Sequence, residues 1–448
     1  MMRKKLLAMA VGVSLSMPLL AGVAQASVLD NPQDKAYVER SVLPDNAKAQ
    51  KEALTTAEVE NLTPLTNKVV DKQLTPEAAR LYRYLLAVPK AGKVIYGHQN
   101  DTHHKMFRVD SGSESDCKDV TGSIAGVVGL DSLSLTGDEL ELTAAEQAAG
   151  ITLTSRLVEI AEQADKQGAI LTLSMHIPNF DLVAKKPKIN GMYDFKGYSP
   201  NVLTGKVGKR ILPDGDLNEV YRAYLDMVAD FALRLQDKHI PVIFRPFHEQ
   251  NGFWFWWGGR NISSKDFQSL WQYTTTYLRD VKGVHNFLYA YSPNGPFDNE
   301  AGYLDRYPGD DYADIFGVDT YDDDQSGIWY QNLDKTLAVM EKLGRERHKV
   351  IAVTELGVRK DGSLSVAGNV DKQWFSKAAA ICRAHKASYF MSWANFDKQE
   401  HNFFMPYMVS DKRGHEMINE FVDFYNEPSS IFADGNTDYK KLKAGSVE

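Results

Sequence analysis

Cysteine is almost missing from this chain: Cys117 and Cys382 are the only two in 448 residues. A small fold stapled by disulfides is therefore excluded, and neither cysteine has metal-ligand spacing. An oxidising compartment would permit one bridge, but the distance between the two in sequence does not show that they meet. Surplus positive charge is missing as well. Lys and Arg number 51 against 59 Asp and Glu, for a net charge of −8, and no polybasic patch occurs. That balance excludes the basic face of a nucleic-acid binder. Beyond the first 26 residues no run of about 18 apolar residues exists, so no membrane partner is expected once that segment is removed. No glycine-rich dinucleotide fingerprint follows the first strand-like run, which weakens an open doubly wound sheet. No Pro/Ser/Thr-rich linker and no internal repeat marks off a second module, so a single catalytic domain and a monomer are expected.

What is there begins with an address. Arg3, Lys4 and Lys5 precede an apolar run from Leu6 to Ala21, and Ala24-Gln25-Ala26 is a small-x-small cleavage site. Residues 1–26 read as a secretory signal peptide, which predicts a secreted protein, periplasmic or extracellular. Residues 27–75 are polar and read as an N-terminal extension. From Thr75-Pro76-Glu77, a helix start with proline just inside, the pattern becomes regular. Eight short apolar runs are predicted as strands: Val94–Gly97, Ile124–Leu130, Ala169–His176, Val242–Glu249, Phe287–Ser292, Ile315–Tyr321, Val350–Glu355 and Tyr389–Trp393. Helical stretches separate them, at Ala144–Gln167, Leu217–Lys238, Lys265–Val281, Leu333–Leu343 and Lys372–Lys386; another, Glu416–Tyr425, follows the last strand. Near-continuous apolar strands alternating with helices predict an α/β fold, a (β/α)8 TIM barrel over residues 76–427. Residues 428–448 read as a loose C-terminal tail.

In such a barrel the chemistry collects at the C-terminal ends of the strands. The richest end is the stretch PVIFRPFHEQNGFWFWWGG, from Pro241 to Gly259. A buried strand there runs into Arg245, His248 and Glu249, followed by Phe253, Trp254, Trp256 and Trp257. So many polar groups at one strand end need partners if they are merely buried. Flat aromatic faces beside a carboxylate suit a pyranose ring. Other strand ends carry His98 to Asp101, Asp131, His176, Asp319 with Tyr321 and Asp322, Glu355, and Trp393. Two glutamates on the fourth and seventh strands face each other across a barrel mouth. Glycoside hydrolysis needs two such carboxyls, about 5–5.5 Å apart for retention and about 6.5–9.5 Å for inversion.

RPFHEQNGFWFWWG and the later VTELG resemble the two signature segments of glycoside hydrolase family 26, whose best-known members are β-mannanases. SMHIPN after strand three, GVDTYD at strand six and SWANFD at strand eight extend the resemblance over most of residues 76–426. It implies a (β/α)8 barrel that hydrolyses β-1,4-mannosidic bonds with retention, with mannan, glucomannan or galactomannan as the expected substrate; the residue spacings themselves lead to no expected metal or other cofactor. Residue by residue it implies Glu249 as general acid/base and Glu355 as nucleophile. It further implies that Tyr321 bonds the nucleophile, that Trp393 floors the subsite of the attacked sugar, and that His176, His248 and Trp254 contact substrate. Arg245 joins them, as a direct contact or through a hydrogen bond behind the site. The resemblance also admits action on mixed-linkage β-glucan or xylan, and leaves endo against exo release of mannobiose open. A barrel that only binds polysaccharide would be expected to lack one carboxyl.

Other clusters have plainer readings. GHQNDTHH, from Gly97 to His104, matches no zinc spacing, and its histidines are expected to meet sugar or solvent. Asp322-Asp323-Asp324 lacks the glycine and terminal glutamate of a calcium loop and reads as an acidic rim. The long insertion from Pro178 to Gly215 either builds a subsite or is surface loop.

Overall fold

Short strands that are apolar on both faces leave no edge exposed if the parallel sheet closes on itself. The computed structural model, which describes residues 37–40, 53–106, 113–396 and 402–447, has that closure. Its barrel strands are β1 (Val94–Gln99), β2 (Val127–Asp131), β3 (Ile170–Ser174), β4 (Val242–Arg245) and β5 (Phe287–Tyr291). β6 comes in two pieces, Ile315–Phe316 and Asp319–Asp322, as does β7, Val350–Ile351 and Val353–Val358, and β8 is Tyr389–Ser392. Every neighbouring pair is parallel, and β8 returns to β1 with Tyr389 opposite Ile95 and Ser392 opposite His98.

The period of two sorts the side chains into two layers. Ile95, Ile243, Leu288, Ile315 and Tyr389 point inward and join one apolar cluster. Val94, Tyr96, Val242, Phe244 and Phe287 point outward against the helices. The helix Pro76–Lys90, capped by Thr75, contributes Leu81 and Leu85 to the inner cluster and so closes the N-terminal end of the barrel. The C-terminal end stays open for polar groups.

Several elements differ from expectation for local reasons. The stretch 144–167 is two helices, Ala144–Ala148 and Leu153–Lys166, parted at Gly150 (φ 74°) and restarted by Thr152, whose hydroxyl accepts from Ser155 N–H. β6 breaks around Gly317, where any Cβ would meet Thr354 Oγ1 at 2.6 Å. The C-terminal segment is packed rather than loose. Ser430–Ile431 pairs with β1, and Tyr439 stacks on Tyr84 with centroids 6.1 Å apart. Cys117 and Cys382 are separate buried thiols. The signal segment, 1–26, lies outside the described residues.

Candidate active site

Inward-facing positions at the barrel mouth place charge where the sequence changes from apolar to polar. Arg245 is the last residue of β4 and has the same parity as the inward-facing Ile243, so its guanidinium lies inside the barrel, fully buried. Nη1 donates to Asp319 Oδ2 at 2.7 Å and Nη2 to Glu355 Oε2 at 2.9 Å. Asp319 Oδ1 accepts from Ser292 (2.6 Å) and Thr354 (2.8 Å). The Tyr321 hydroxyl donates to Glu355 Oε1. Both oxygens of Glu355 thus have a donor, as a buried carboxylate requires. A register shift in β7 between Val353 and Leu356 lets consecutive Thr354 and Glu355 both reach this network.

The polypeptide leaves β4 abruptly. Phe247 and Glu249 take left-handed backbone conformations, φ 51° and 52°, so Val242–Glu249 is not one strand. The turn sends Phe247 into the core against Trp257 and Trp271 and brings Glu249 to the cleft. There Glu249 N–H donates to Ser292 O at 2.8 Å, and Trp254 Nε1 donates to Glu249 Oε2 at 2.6 Å. Burial pushes the Glu249 carboxyl up to about 8, helped by the negative charges of Glu355 and Asp319; the Trp254 bond and Arg245 oppose the shift.

A third group runs from β2 toward Glu249. Asp131 takes bonds from Ser174 Oγ (2.6 Å) and Leu133 N–H (2.9 Å), and pairs with His176 Nδ1 at 2.8 Å. Nε2 of His176 lies 3.2 Å from Nε2 of His248. Burial pulls His176 down, but Asp131 outweighs it and holds the ring above the usual histidine range. Burial and the charge of His176 drive His248 far below that range. His176 therefore donates and His248 accepts. Trp393, partly exposed, sits 5.6 Å from the His176 ring.

The structure thus gathers Glu249, Glu355, Tyr321, Arg245, His248, His176, Trp254 and Trp393 in one connected mouth. Direct substrate contact by Arg245 is corrected, because a fully buried guanidinium offers no surface and instead holds Glu355 and Asp319. Of the aromatic run, Trp256 and Trp257 are core, their indole N–H groups donating to Ile177 O (3.0 Å) and His248 O (2.9 Å). His98 meets neither sugar nor solvent; it is buried, 2.8 Å from Asp101. Asp322 is not on an acidic rim but buried, accepting from Trp374 Nε1 at 3.0 Å. Among the described residues no group of three or more His, Cys, Asp or Glu is arranged to hold a metal.

Sequence reasoning missed Tyr198 and Glu139. Tyr198 comes from the insertion after β3, its ring 6.2 Å from His176 and its phenol in the field of Asp131, Glu139, Glu249 and Glu355. Glu139, bonded to Asn100 at 3.1 Å, is pushed up to about 8 by burial and by Asp131. Neither sits at a strand end, so only the fold brings them here.

The profile of glycosyl hydrolase family 26 matches residues 70–405. Among solved structures, the catalytic domain of a Bacillus sp. JAMB-750 endo-β-1,4-mannanase is 34% identical with a TM-score of 0.75, over 86% of this chain and 98% of that one. A β-mannanase from Bacteroides ovatus is 29% identical with a TM-score of 0.67, over 82% and 98%. Among curated proteins, a mannan endo-1,4-β-mannosidase of Bifidobacterium adolescentis is 32% identical over 394 residues, which is 85% of this chain and 37% of that protein. A Bacillus subtilis protein of the same description is 29% identical over 51% of this chain and 56% of its own length. The chain thus spans between a third and three fifths of these two curated relatives.

Proposed function

The chain belongs to glycosyl hydrolase family 26, and from that premise we propose that it is a secreted β-1,4-mannanase cutting mannan chains internally by a retaining double displacement. One contrast carries the reading. Two carboxyls share a cleft in unlike environments: Glu249 is held protonated to about pH 8, while Glu355 is ligated on both oxygens by Arg245 and Tyr321. Separated roles for two acids are what acid-assisted displacement needs.

In the first step Glu355 attacks the anomeric carbon. The glycosidic bond breaks, and Glu249 passes its proton to the departing oxygen. The negative charge of Glu355 is consumed in the new ester bond, which removes one of the influences that raised Glu249. Glu249 then takes a proton from the incoming water, whose oxygen attacks the same carbon and releases Glu355. Arg245 and Tyr321 position the nucleophile and receive its charge again when it leaves. Trp393 provides an apolar floor for the sugar between the two acids, and the His176–His248 pair a polar wall.

Sugar release from mannan tests this, with a fall in viscosity that outpaces reducing-end formation as the mark of internal cutting. Glu355→Ala should abolish turnover. Glu249→Ala should hit poor leaving groups hardest and spare dinitrophenyl glycosides in the first step, since those need no proton. Faster turnover of barley glucan or xylan than of mannan would overturn the sugar assignment. Secretion is tested by sequencing the mature N-terminus, expected to begin at Ser27.

A further inference from the structure

Only two aromatic side chains are strongly exposed among the described residues, Phe253 at 54% and Tyr198 at 42%. Both stand on loops that flank Trp254, and Asn201 Nδ2 from the Tyr198 loop donates to Trp254 O at 3.0 Å. Exposure of Phe253 is not the result of a slack loop. Gly252 N–H donates to Glu249 O (2.9 Å) and Gly259 N–H to Gly252 O (2.8 Å). Asn251 is locked to Asn294 by two bonds of 2.8 Å. A stapled loop therefore holds an apolar ring out in water, a local conflict of the kind that marks sites of use. Its edge is set against Trp254, centroids 5.2 Å apart at 70°. The Arg260 guanidinium lies over the ring at 4.9 Å, and among the described residues Arg260 forms no ion pair or hydrogen bond.

We propose that Phe253 and Arg260 form a sugar subsite on the leaving-group side of the cleft, binding the second unit beyond the bond that is cut. This rests on the assignment of Glu249 as the acid. The acid must reach the departing oxygen, so the first leaving-side sugar lies beside Glu249 and its indole partner Trp254. Phe253 is the next ring outward on the same loop. A mannose unit offers C–H patches to an aromatic face and hydroxyls to hydrogen-bond donors. Phe253 supplies the first contact, and Arg260 supplies uncommitted donors at the ring's edge. An aromatic–cation pair used only as surface decoration would leave catalysis untouched.

Two substrates separate these outcomes: mannopentaose, which reaches past the first leaving-side position, and 4-nitrophenyl β-mannobioside, whose aglycone fills that position alone. For Phe253→Ala and Arg260→Ala, kcat/KM on mannopentaose should fall about tenfold while the aryl mannobioside is cleaved as by the wild type. Phe253→Trp should keep the mannopentaose rate. Equal rates on mannopentaose for wild type and both alanine variants would overturn the subsite, as would equal losses on both substrates. Failure of the wild type to cleave either substrate would instead overturn the hydrolase reading itself.

Discussion

Trp254 donates its indole N–H to Glu249 Oε2 at 2.6 Å, the only side-chain hydrogen bond to that carboxyl among the described residues. The bond favours the charged form and so works against burial, which raises Glu249 to about 8. Trp254→Phe keeps an aromatic wall and removes the donor. With one charge-stabilising contact gone, Glu249 should hold its proton to still higher pH. The alkaline limb of kcat/KM, expected near pH 8 in the wild type, should move upward in the variant. A limb that stays or moves down would show that Trp254 does not set this carboxyl.

The same proton has a consequence for stability. Glu249 titrates near 4.5 when exposed and at about 8 in the folded protein. Between these values the native state binds more protons than the unfolded one, so stability falls as pH rises through the window. Glu249→Gln abolishes that dependence. Urea unfolding should find the variant little changed at pH 5 and more stable by on the order of 3 kcal/mol at pH 8. A gain of equal size at both pH values would place its origin outside proton linkage.

Much of this site is legible in the sequence, for one physical reason. Inward parity along β4 and the switch from Ile243 to Arg245 mark where the core ends, and each polar strand end needs a partner that only another strand end supplies. Parity fails where the backbone departs from a regular strand. The bulge that turns Thr354 and Glu355 the same way, and the left-handed turns at Phe247 and Glu249, have no side-chain pattern that announces them. Arg245 therefore read equally as a sugar contact or as a support behind the site, and only its burial decides for the clamp. Tyr198 was hidden in the insertion from Pro178 to Gly215 because its place is set by Pro200 O and Asn201 bonding the Trp254 loop, contacts between segments remote in sequence. Trp256 and Trp257 looked like sugar platforms for a related reason: composition does not say which faces of a loop are covered.

Among the described residues Arg245 is the single cation that pairs with both Asp319 and Glu355, at 2.7 and 2.9 Å. Burial pushes Asp319 up to about 7 even beside Arg245, so in Arg245→Met it holds its proton at pH 7 and Glu355 is left buried without its counter-charge. The expected cost at pH 7 is about 3–5 kcal/mol of unfolding free energy, together with loss of turnover. Urea titration checks the first and sugar release from mannan the second. An unfolding free energy equal to that of the wild type would show that no buried charge depends on Arg245.

His176 links Asp131 to His248 and owes its raised proton affinity to Asp131, since burial alone would lower it. Asp131→Asn removes the charge but leaves a group able to bond Nδ1, now with the amide as donor and the imidazole nitrogen as acceptor. The ring then carries its one proton on Nε2, and the contact to His248 survives. Geometry is preserved while charge is lost, so the variant isolates the electrostatic role. Imidazole titration by NMR should place His176 above the ordinary histidine value of 6.5 in the wild type and below it in Asp131→Asn. If the variant ring still titrated above that value, the charge on His176 would have to come from Glu139 or Glu355, the two more distant carboxylates that also raise it.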